Sequence, residues 1–524
     1  MVNQNWISLL PPLIVIGAIF ITRRLNISLL LGIFSAGFIA AQGNMVTVIK
    51  MCIDKAIIHL ADIDNIYLYL LLIIISSFIV VLTVTGSAAG CAQIIGKRMK
   101  TKRSVEMSSI LLAFLLSIDD YLSILTVGFV MRPIADRVAV ARTKLAYIVH
   151  ALAGPLVIIM PISTWAATIL VQLDNAGVGT SLTSKIVADP FYVYIQTIPF
   201  VFYSLLLVVS VLYVVQNKIG FGLIYRDECN AVPIYDDNES IQESGNKHSL
   251  IELLMPIALL VGGVFFGLLY AGNYHLFGGN NSFVDAFRNN SQTFFVFFMA
   301  GLCALLSSVV LSLYKKLIRL KQLPAVVYEG FLLMKSSIVM VMLASILGSF
   351  LRLDLHTGSY VASLLLGTAP LCLIPVMIFV VSLVITLTTG SAWGTFSLLI
   401  PITVQMIIAL LQLEAPVSLE QIPLLFTTLG ALLSGAACGN HIAPFAETTI
   451  MAATSTGIEP LEHARTQFAY AIPVIISTFI SFVVAGLLYE RGLLISWLVS
   501  LMVGMGVCVI LFYVGNRFFK ISFE

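Results

Sequence analysis

The sequence predicts an all-α polytopic membrane protein, and three observations carry that prediction. Of the 524 residues, 59% are hydrophobic and only 10% charged, with a mean hydropathy of +1.02, a composition that a solvated globular surface would not tolerate. Many apolar runs reach the roughly 20 residues that a spanning helix needs. The period-two alternation of a membrane β-barrel is absent.

The net charge of +2 says little by itself, because orientation depends on where Lys and Arg sit relative to the spans. Nothing supports nucleic-acid binding. The seven cysteines are scattered, Cys91, Cys303, Cys438 and Cys508 among them, without a CxxC pair or a His/Cys cluster, so neither a disulfide framework nor a zinc site is expected.

The first apolar run, Trp6 to Ile21, follows an uncharged start and precedes Arg23-Arg24, the reverse of a secretory signal, so it should stay in the protein with the N terminus outside. A second run, Ile27 to Ala41, returns. Residues 45 to 64, with Lys50, Asp54, Lys55 and His59, read as an amphipathic segment at the interface. Ile66 to Val84 then crosses inward and ends in the small residues Thr85 to Gly90.

Two adjacent carboxylates, Asp119 and Asp120, stand in the middle of the apolar run from Ser108 to Met131, where a charge costs several kcal/mol and is by default functional. Basic residues flank the run on both sides: Lys97 to Arg103 before it, Arg132, Arg137, Arg142 and Lys144 after it. A simple span would leave one cluster outside. A re-entrant hairpin over residues 104–133 keeps both inside and places Asp119-Asp120 near its tip, where broken backbone is tolerated if it lines a cavity. The basic runs themselves read as solvated, topology-setting loops.

From Leu145 the chain crosses outward through Gly154-Pro155 and Pro161-Ile162-Ser163-Thr164-Trp165, whose prolines should interrupt the helix. Phe191 to Val215 returns, and residues 217 to 248, with Asp236-Asp237, Glu239 and Glu243, form a polar cytoplasmic loop that divides two halves. Runs at Leu250 to Tyr270 and Thr293 to Tyr314 go out and back to the basic Lys315 to Lys321.

The second half repeats the first in outline. A span through Met340 and Gly348 leads to Thr357-Gly358-Ser359, echoing Thr85-Gly86-Ser87, and a second re-entrant hairpin over 373–402 breaks at Thr388 to Gly394. Aligned on Pro133-Ile134 and Pro401-Ile402, Asp120 falls opposite Thr388 and Ser123 opposite Ser391. Its flanks contain Glu414 and Glu420 but no Lys or Arg, so it should enter from outside. Pro423 to Thr454 crosses inward with a break from Gly439 to Thr449, Pro444 opposite Pro161 and Glu447 opposite Thr164, and two last spans leave the C terminus, with Arg517 and Lys520, in the cytoplasm.

The expected organisation is therefore about eleven transmembrane helices plus two re-entrant hairpins in two inverted repeats. Residues 1–44 form N-terminal spans, 45–216 the first repeat, 217–323 the polar loop and connecting spans, 324–489 the second repeat, and 490–524 a last span and tail. Inverted repeats whose broken helices meet at mid-membrane are the architecture of secondary transporters.

The chemistry expected at the breaks is that of a small-cation site. Asp119, Asp120 and Glu447 supply carboxylates, and Ser163, Thr164, Thr389, Ser391, Thr448 and Thr449 add hydroxyls beside freed carbonyls, all hard oxygen donors. Asp120 and Glu447 are the expected ligands of a transported sodium ion, and His441 is a second protonatable group. A carboxylate that can hold a proton or a cation, but not both, suffices for antiport if the site opens alternately to each face. Adjacent residues on a helix point about 100° apart, so one of Asp119 and Asp120 faces the site while the other receives backbone N–H groups; Asp120 is the expected exchanger. Trp165 and Trp393 read as packing or gate residues.

At these breaks the chain resembles the NhaC-type sodium/proton antiporter family of the ion transporter superfamily. The resemblance rests on Asp119-Asp120-Tyr121 with Met131-Arg132-Pro133-Ile134, Lys144 to Val149, Pro161 to Trp165, Trp393-Gly394-Thr395, and Ser434-Gly435 through Glu447-Thr448-Thr449. It implies two re-entrant hairpins, a rocking or elevator-like cycle, a homodimer and exchange of cations or organic anions. Two departures stand out. The family's Gly-Asp-His is here Gly439-Asn440-His441, and its Pro-Ile-Ser-Asp-Thr-Thr is Pro444-Phe445-Ala446-Glu447-Thr448-Thr449.

The function expected is exchange of sodium for protons across a bacterial cell membrane, with no cofactor beyond the transported ions. The alternative is an exchanger or symporter of a small carboxylate or amino acid, with Asn440 and Glu447 as the changed specificity. An intramembrane aspartyl protease is disfavoured because its two aspartates come from separate helices, whereas Asp119 and Asp120 are adjacent. A non-transporting receptor or scaffold would have no use for the paired breaks.

Overall fold

A computed structural model describes residues 6–22, 24–87, 90, 99–181, 184–233 and 251–518. Arg23, Lys97, Arg98, Ala88, Ala89, Cys91, Lys520 and the acidic stretch from Asp236 to Glu243 lie outside the described residues. The described residues are helical almost throughout, with one two-stranded parallel sheet that pairs Val178–Gly179 with Ile186–Val187.

Among the described residues, nine helices are long and apolar enough to cross a membrane. Seven coincide with expected spans, and the other two, Leu371–Thr389 and Ala392–Leu410, are the arms of the second hairpin. The remaining expected spans are two shorter apolar helices, Trp6–Ile19 and Leu25–Ala40, and two interrupted ones.

Four helix breaks organise the interior. Hairpin 1 consists of Lys102–Leu115 and Asp120–Arg137, reaching past 104–133 at both ends, and hairpin 2 of Ile374–Thr389 and Ala392–Leu410, reaching past 402 at its end. Hairpin 2 turns at Gly390, whose φ of 68° lies in the left-handed region open to glycine. Broken span 1 runs as Arg142–Leu152 and Thr164–Asn175, with the short helix Gly154–Val157 between them, and broken span 2 as Pro423–Ile442 and Glu447–Thr456. Pro161 and Pro444 fall in the unwound stretches, where the missing N–H costs no helical hydrogen bond.

The two halves correspond, but with one change of register. After the breaks in the two broken spans, the helices restart at Thr164 and Glu447, in the alignment expected from Pro161 and Pro444. In the hairpins the N-caps are Asp119 and Ser391. Asp120 therefore matches Ala392, not Thr388. The alignment on Pro133 and Pro401 slips by four residues, about one helical turn, because an internal proline marks no fixed distance from the cap.

Packing is reciprocal. The second arm of hairpin 1 lies on the second half of broken span 2, and the second arm of hairpin 2 on the second half of broken span 1. The most extensive helix contact joins the first arm of hairpin 2 to the first half of broken span 2. Glycines one turn apart make it possible: a Cβ on Gly435 would meet the Phe379 carbonyl at 2.5 Å, and one on Gly439 would meet Thr386 Cβ at 2.6 Å and the Leu387 amide at 2.7 Å. Because backbone cannot yield as a side chain can, Gly439→Ala is expected to cost about 1–3 kcal/mol. A fall in the melting temperature of the detergent-solubilised protein reads it, and an unchanged melting curve would refute the seam.

Three further expectations change. Phe191 to Val215 is not one helix but Pro190–Thr197 and Phe202–Asn217, separated by a tight turn at Ile198–Phe200 where Pro199 removes a donor. The start of the polar loop is a docked helix, Gly222–Asn230. The basic stretch after hairpin 1 is not simply solvated either. Lys144 is buried between Glu106 at 2.9 Å and Glu228 at 2.5 Å, and Arg142 grips Asp136 through Nε at 3.0 Å and Nη2 at 2.8 Å. Among the described cysteines, all free, Cys438 and Cys508 are buried while Cys229 and Cys303 are exposed.

Candidate functional site

The four breaks meet through specific contacts. Asp119 caps the second arm of hairpin 1: its Oδ1 accepts the Leu122 amide at 2.9 Å, as an N-cap carboxylate should. Its Oδ2 accepts the Thr164 hydroxyl at 3.1 Å, while the Thr164 amide donates to the Ile118 carbonyl at 3.1 Å. These bonds tie hairpin 1 to broken span 1. Ser163 is spent locally, donating to the Val157 carbonyl at 2.8 Å and capping Ala166 at 3.0 Å.

Asp120 opens the helical turn and is buried, yet it has a different environment. The indole N–H of Trp165 and the amides of its own first turn face its carboxyl, and that indole N–H completes no hydrogen bond. Both Asp119 oxygens are engaged in holding the fold.

Hairpin 1 reaches broken span 2 through Tyr121, which donates from its hydroxyl to Glu447 Oε2 at 2.5 Å. Tyr121 thereby lies within electrostatic reach of Asp119, Asp120 and Glu447 together. Glu447 sits in the first turn of Glu447–Thr456, where the helix dipole favours an anion, and its side chain is exposed. The preceding Ala446 makes no side-chain cap, unlike Ser163 at the matching position.

Hairpin 2 closes the ring. Gly390 packs against Phe445 and Ala446, within 3.0 Å and 3.6 Å of an added Cβ, and Trp393 meets Trp165 edge-on with ring centres 6.3 Å apart. Ser391 caps Gly394 at 3.2 Å, and Thr389 bonds the Ser391 amide at 3.2 Å. Those two hydroxyls shape the tip without bonding a carboxylate.

The remaining expected residues form a second cluster behind Glu447. Asn440 donates to the Thr448 hydroxyl at 3.1 Å, and that hydroxyl lies 3.2 Å from Nε2 of His150. His441 has Nδ1 at 2.7 Å from the Tyr203 hydroxyl, and Thr449 donates to the Ala443 carbonyl at 2.8 Å. Sequence reasoning brought forward Asn440, His441 and Thr448 but missed Tyr121 as a bridging group, along with Tyr203, His150, His463 and Gln467. The available signal for the last two was their spacing: His463 and Gln467 stand four residues apart on one face of the helix Pro460–Leu488.

The model of the Na+/H+ antiporter family matches residues 156–487. An uncharacterized protein of Haemophilus influenzae is 28% identical over 489 residues, which cover 92% of this chain and 91% of that one. The malate-2H(+)/Na(+)-lactate antiporter of Bacillus subtilis is 29% identical over 106 residues, 20% of each chain. Among solved structures, the YdaH transporter of Alcanivorax borkumensis superposes with a TM-score of 0.52 at 13% identity, covering 81% of this chain and 85% of that one, a likeness of fold alone.

Proposed function

Because the chain belongs to the Na+/H+ antiporter family, we propose that it exchanges sodium for protons across the cell membrane by alternating access. The observation that carries this reading is the meeting of Asp120, Tyr121 and Glu447 at the helix breaks, beside an Asp119 already committed to structure. Sodium is a hard cation that takes oxygen ligands, and carboxylates with freed carbonyls provide them. A proton on Asp120 removes the charge that the cation needs. The two ions therefore compete, and net exchange follows when the site opens to one face at a time.

On this reading the face carrying Arg132, Arg142 and Lys144 is cytoplasmic, the C terminus lies on that side and the N terminus opposite, and two copies form the transporting unit. Half-buried Arg288 and exposed Glu420 pair at 2.7 Å, and neither belongs to the four breaks. Arg288 holds the Glu420 carboxyl down to about 2. A depressed carboxyl keeps its pairing above its ordinary value and loses it only as the pH falls toward about 2, so this pair contributes nothing to pH dependence near neutrality.

The test uses proteoliposomes with an imposed pH gradient and an internal pH dye. Addition of sodium is expected to collapse the gradient, with lithium and potassium as comparators. No cation-dependent collapse at any pH would sink the reading.

A second reading, exchange of a small carboxylate, is favoured by the partial likeness to the malate/lactate antiporter and by two uncharged helix N-termini at the breaks, at Ser163 and Ser391, whose dipoles suit an anion. Counterflow of radiolabelled lactate or malate without sodium-driven proton movement would select it.

A further inference from the structure

Behind the carboxylates lies an imidazole cluster that competition at Asp120 does not require. His150 stands near the end of the first half of broken span 1, His441 near the end of the first half of broken span 2, and His463 one turn inside Pro460–Leu488. All three are buried. The ring centre of His150 lies 5.0 Å from that of His441 and 5.1 Å from that of His463.

The hydrogen bonds fix a direction. The Gln467 amide donates to the His441 carbonyl at 2.6 Å, which turns its Oε1 toward His150 Nδ1 at 3.0 Å. His150 Nδ1 therefore carries a proton, shared with His463 Nε2 at 2.9 Å. Its Nε2 is then an acceptor, and the Thr448 hydroxyl, already receiving Asn440, has its own proton to donate there. His463, accepting at Nε2, holds its proton on Nδ1, which meets no partner among the described residues. Thr448, His150 and His463 form a row of donors aligned one way.

Thr448 follows Glu447 in the first turn of the helix Glu447–Thr456, and the Glu447 carboxylate bonds Tyr121. His463 donates its backbone amide to the Glu459 carbonyl at 2.9 Å, and residues 459 to 462 are exposed, so the ring lies about one helical turn below the surface. The other titratable groups around the rings are Tyr203 on His441, Cys438 beside Tyr203, and Tyr147 and Tyr470, with Glu459, Glu462 and Arg465 on the exposed side of His463. No carboxylate or cation among the described residues hydrogen-bonds any of the three rings.

A purely structural cluster would satisfy its members, since an unpaired buried polar atom is costly. Here, among the described residues, neither His441 Nε2 nor His463 Nδ1 meets a partner. The geometry points to a proton path from the carboxylates at the breaks, through Thr448, His150 and His463, to the face carrying residues 457 to 462, with His441 held aside by Tyr203.

Each passage is balanced. Thr448 gives its hydroxyl proton to His150 Nε2 and takes the proton of a protonated carboxyl at the breaks, which is left as carboxylate; His150 gives its Nδ1 proton to His463 Nε2; His463 releases its Nδ1 proton at the face. Rotation of the hydroxyl and exchange of ring tautomers reset the row, as imidazole's two nitrogens permit.

The path rests on the sodium/proton reading for the site it serves, and the test separates the two. Proton-driven uptake of radioactive sodium is compared with sodium–sodium self-exchange without a pH gradient, in wild type and in the well-dispersed variants His150→Gln and His463→Gln. Each variant is expected to slow proton-driven uptake about tenfold or more and to flatten its pH profile, while self-exchange stays within about twofold. Unchanged proton-driven uptake, or an equal fall in both modes, would overturn the path. Nitrogen-15 NMR of histidine-labelled protein in lipid supplies a readout independent of transport. An N–H···N coupling between His150 and His463, lost in His463→Gln, supports the path, and its absence from wild type refutes it. A wild-type protein that moves sodium in neither mode fails the sodium reading, and the coupling then decides the path alone.

Discussion

Asp120→Asn is expected to abolish proton-coupled exchange, by about a hundredfold or more, in a protein that still folds. The substitution keeps the size of the side chain and removes both the negative charge and the proton that competition requires. It leaves in place the bonds that build the tip, since Asp119 caps Leu122 and receives Thr164 while Asp120 does neither. Asp119→Asn is the matched control. Asparagine is as good an N-cap as aspartate, and its amide oxygen can accept the Leu122 amide, so exchange should survive within about tenfold. Asp119→Ala should instead lower thermal stability by about 1 kcal/mol through loss of the cap. Sodium-induced collapse of a pH gradient reads the first two variants and a melting curve the third. Equal loss of exchange in both asparagine variants would mean that the pair acts as a unit and would refute the division of labour.

The sequence already pointed to that division, one carboxylate facing the site and its neighbour receiving backbone N–H groups, because adjacent helical residues point about 100° apart. An acidic pair in an apolar run flanked by basic residues announces a functional break, because burial of charge is expensive whatever the fold. Which member is spent on capping depends on where the helix starts, and that is set by tertiary contacts with Thr164 and Trp165. The breaks at Pro161 and Pro444 were readable because proline acts locally. The motif resemblance pointed to the family, which the match over residues 156–487 bears out.

The misses share a physical cause. The hairpin alignment slipped by a turn because cap position, not proline position, is what the repeats have in common. The helix Gly222–Asn230 was hidden by polar composition, since its stability comes from docking onto Thr143 and Lys144 across 84 residues of chain. His150 and His463 are single polar residues on mostly apolar or mixed helices, and each alone reads as a satisfied core group. Their meeting requires that three separate elements cross at one point, and no local pattern encodes that crossing. The departure at Ala446, by contrast, was visible as a lost hydroxyl, and the helix Glu447–Thr456 indeed begins without a side-chain cap.

Lys144→Met should be among the most destabilising single changes in this chain. Lys144 joins three elements: Glu106 from the first arm of hairpin 1, its own broken span 1, and Glu228 from the docked helix. The Lys144 and Glu106 side chains are only 5% and 6% exposed, whereas Glu228 is 20% exposed. Removing the cation leaves two carboxylates facing each other with nothing between them. A broken buried pair typically costs about 3–5 kcal/mol, and partial rehydration of Glu228 argues for the lower end, about 3 kcal/mol. The neighbouring Arg142–Asp136 and Thr143–Asp227 contacts can hold position but cannot supply the missing charge. Two further results follow from that cause. Acidification, which neutralises unpaired carboxylates, should narrow the deficit between Lys144→Met and wild type. Adding Glu106→Gln and Glu228→Gln to Lys144→Met should recover most of it, since an uncharged trio no longer repels. Melting curves of the solubilised proteins measure all three, with Lys335→Met as an exposed-lysine control. A loss for Lys144→Met no larger than that of the control, or no recovery in the triple variant, would show that this charge network does not clamp hairpin 1 to the broken span.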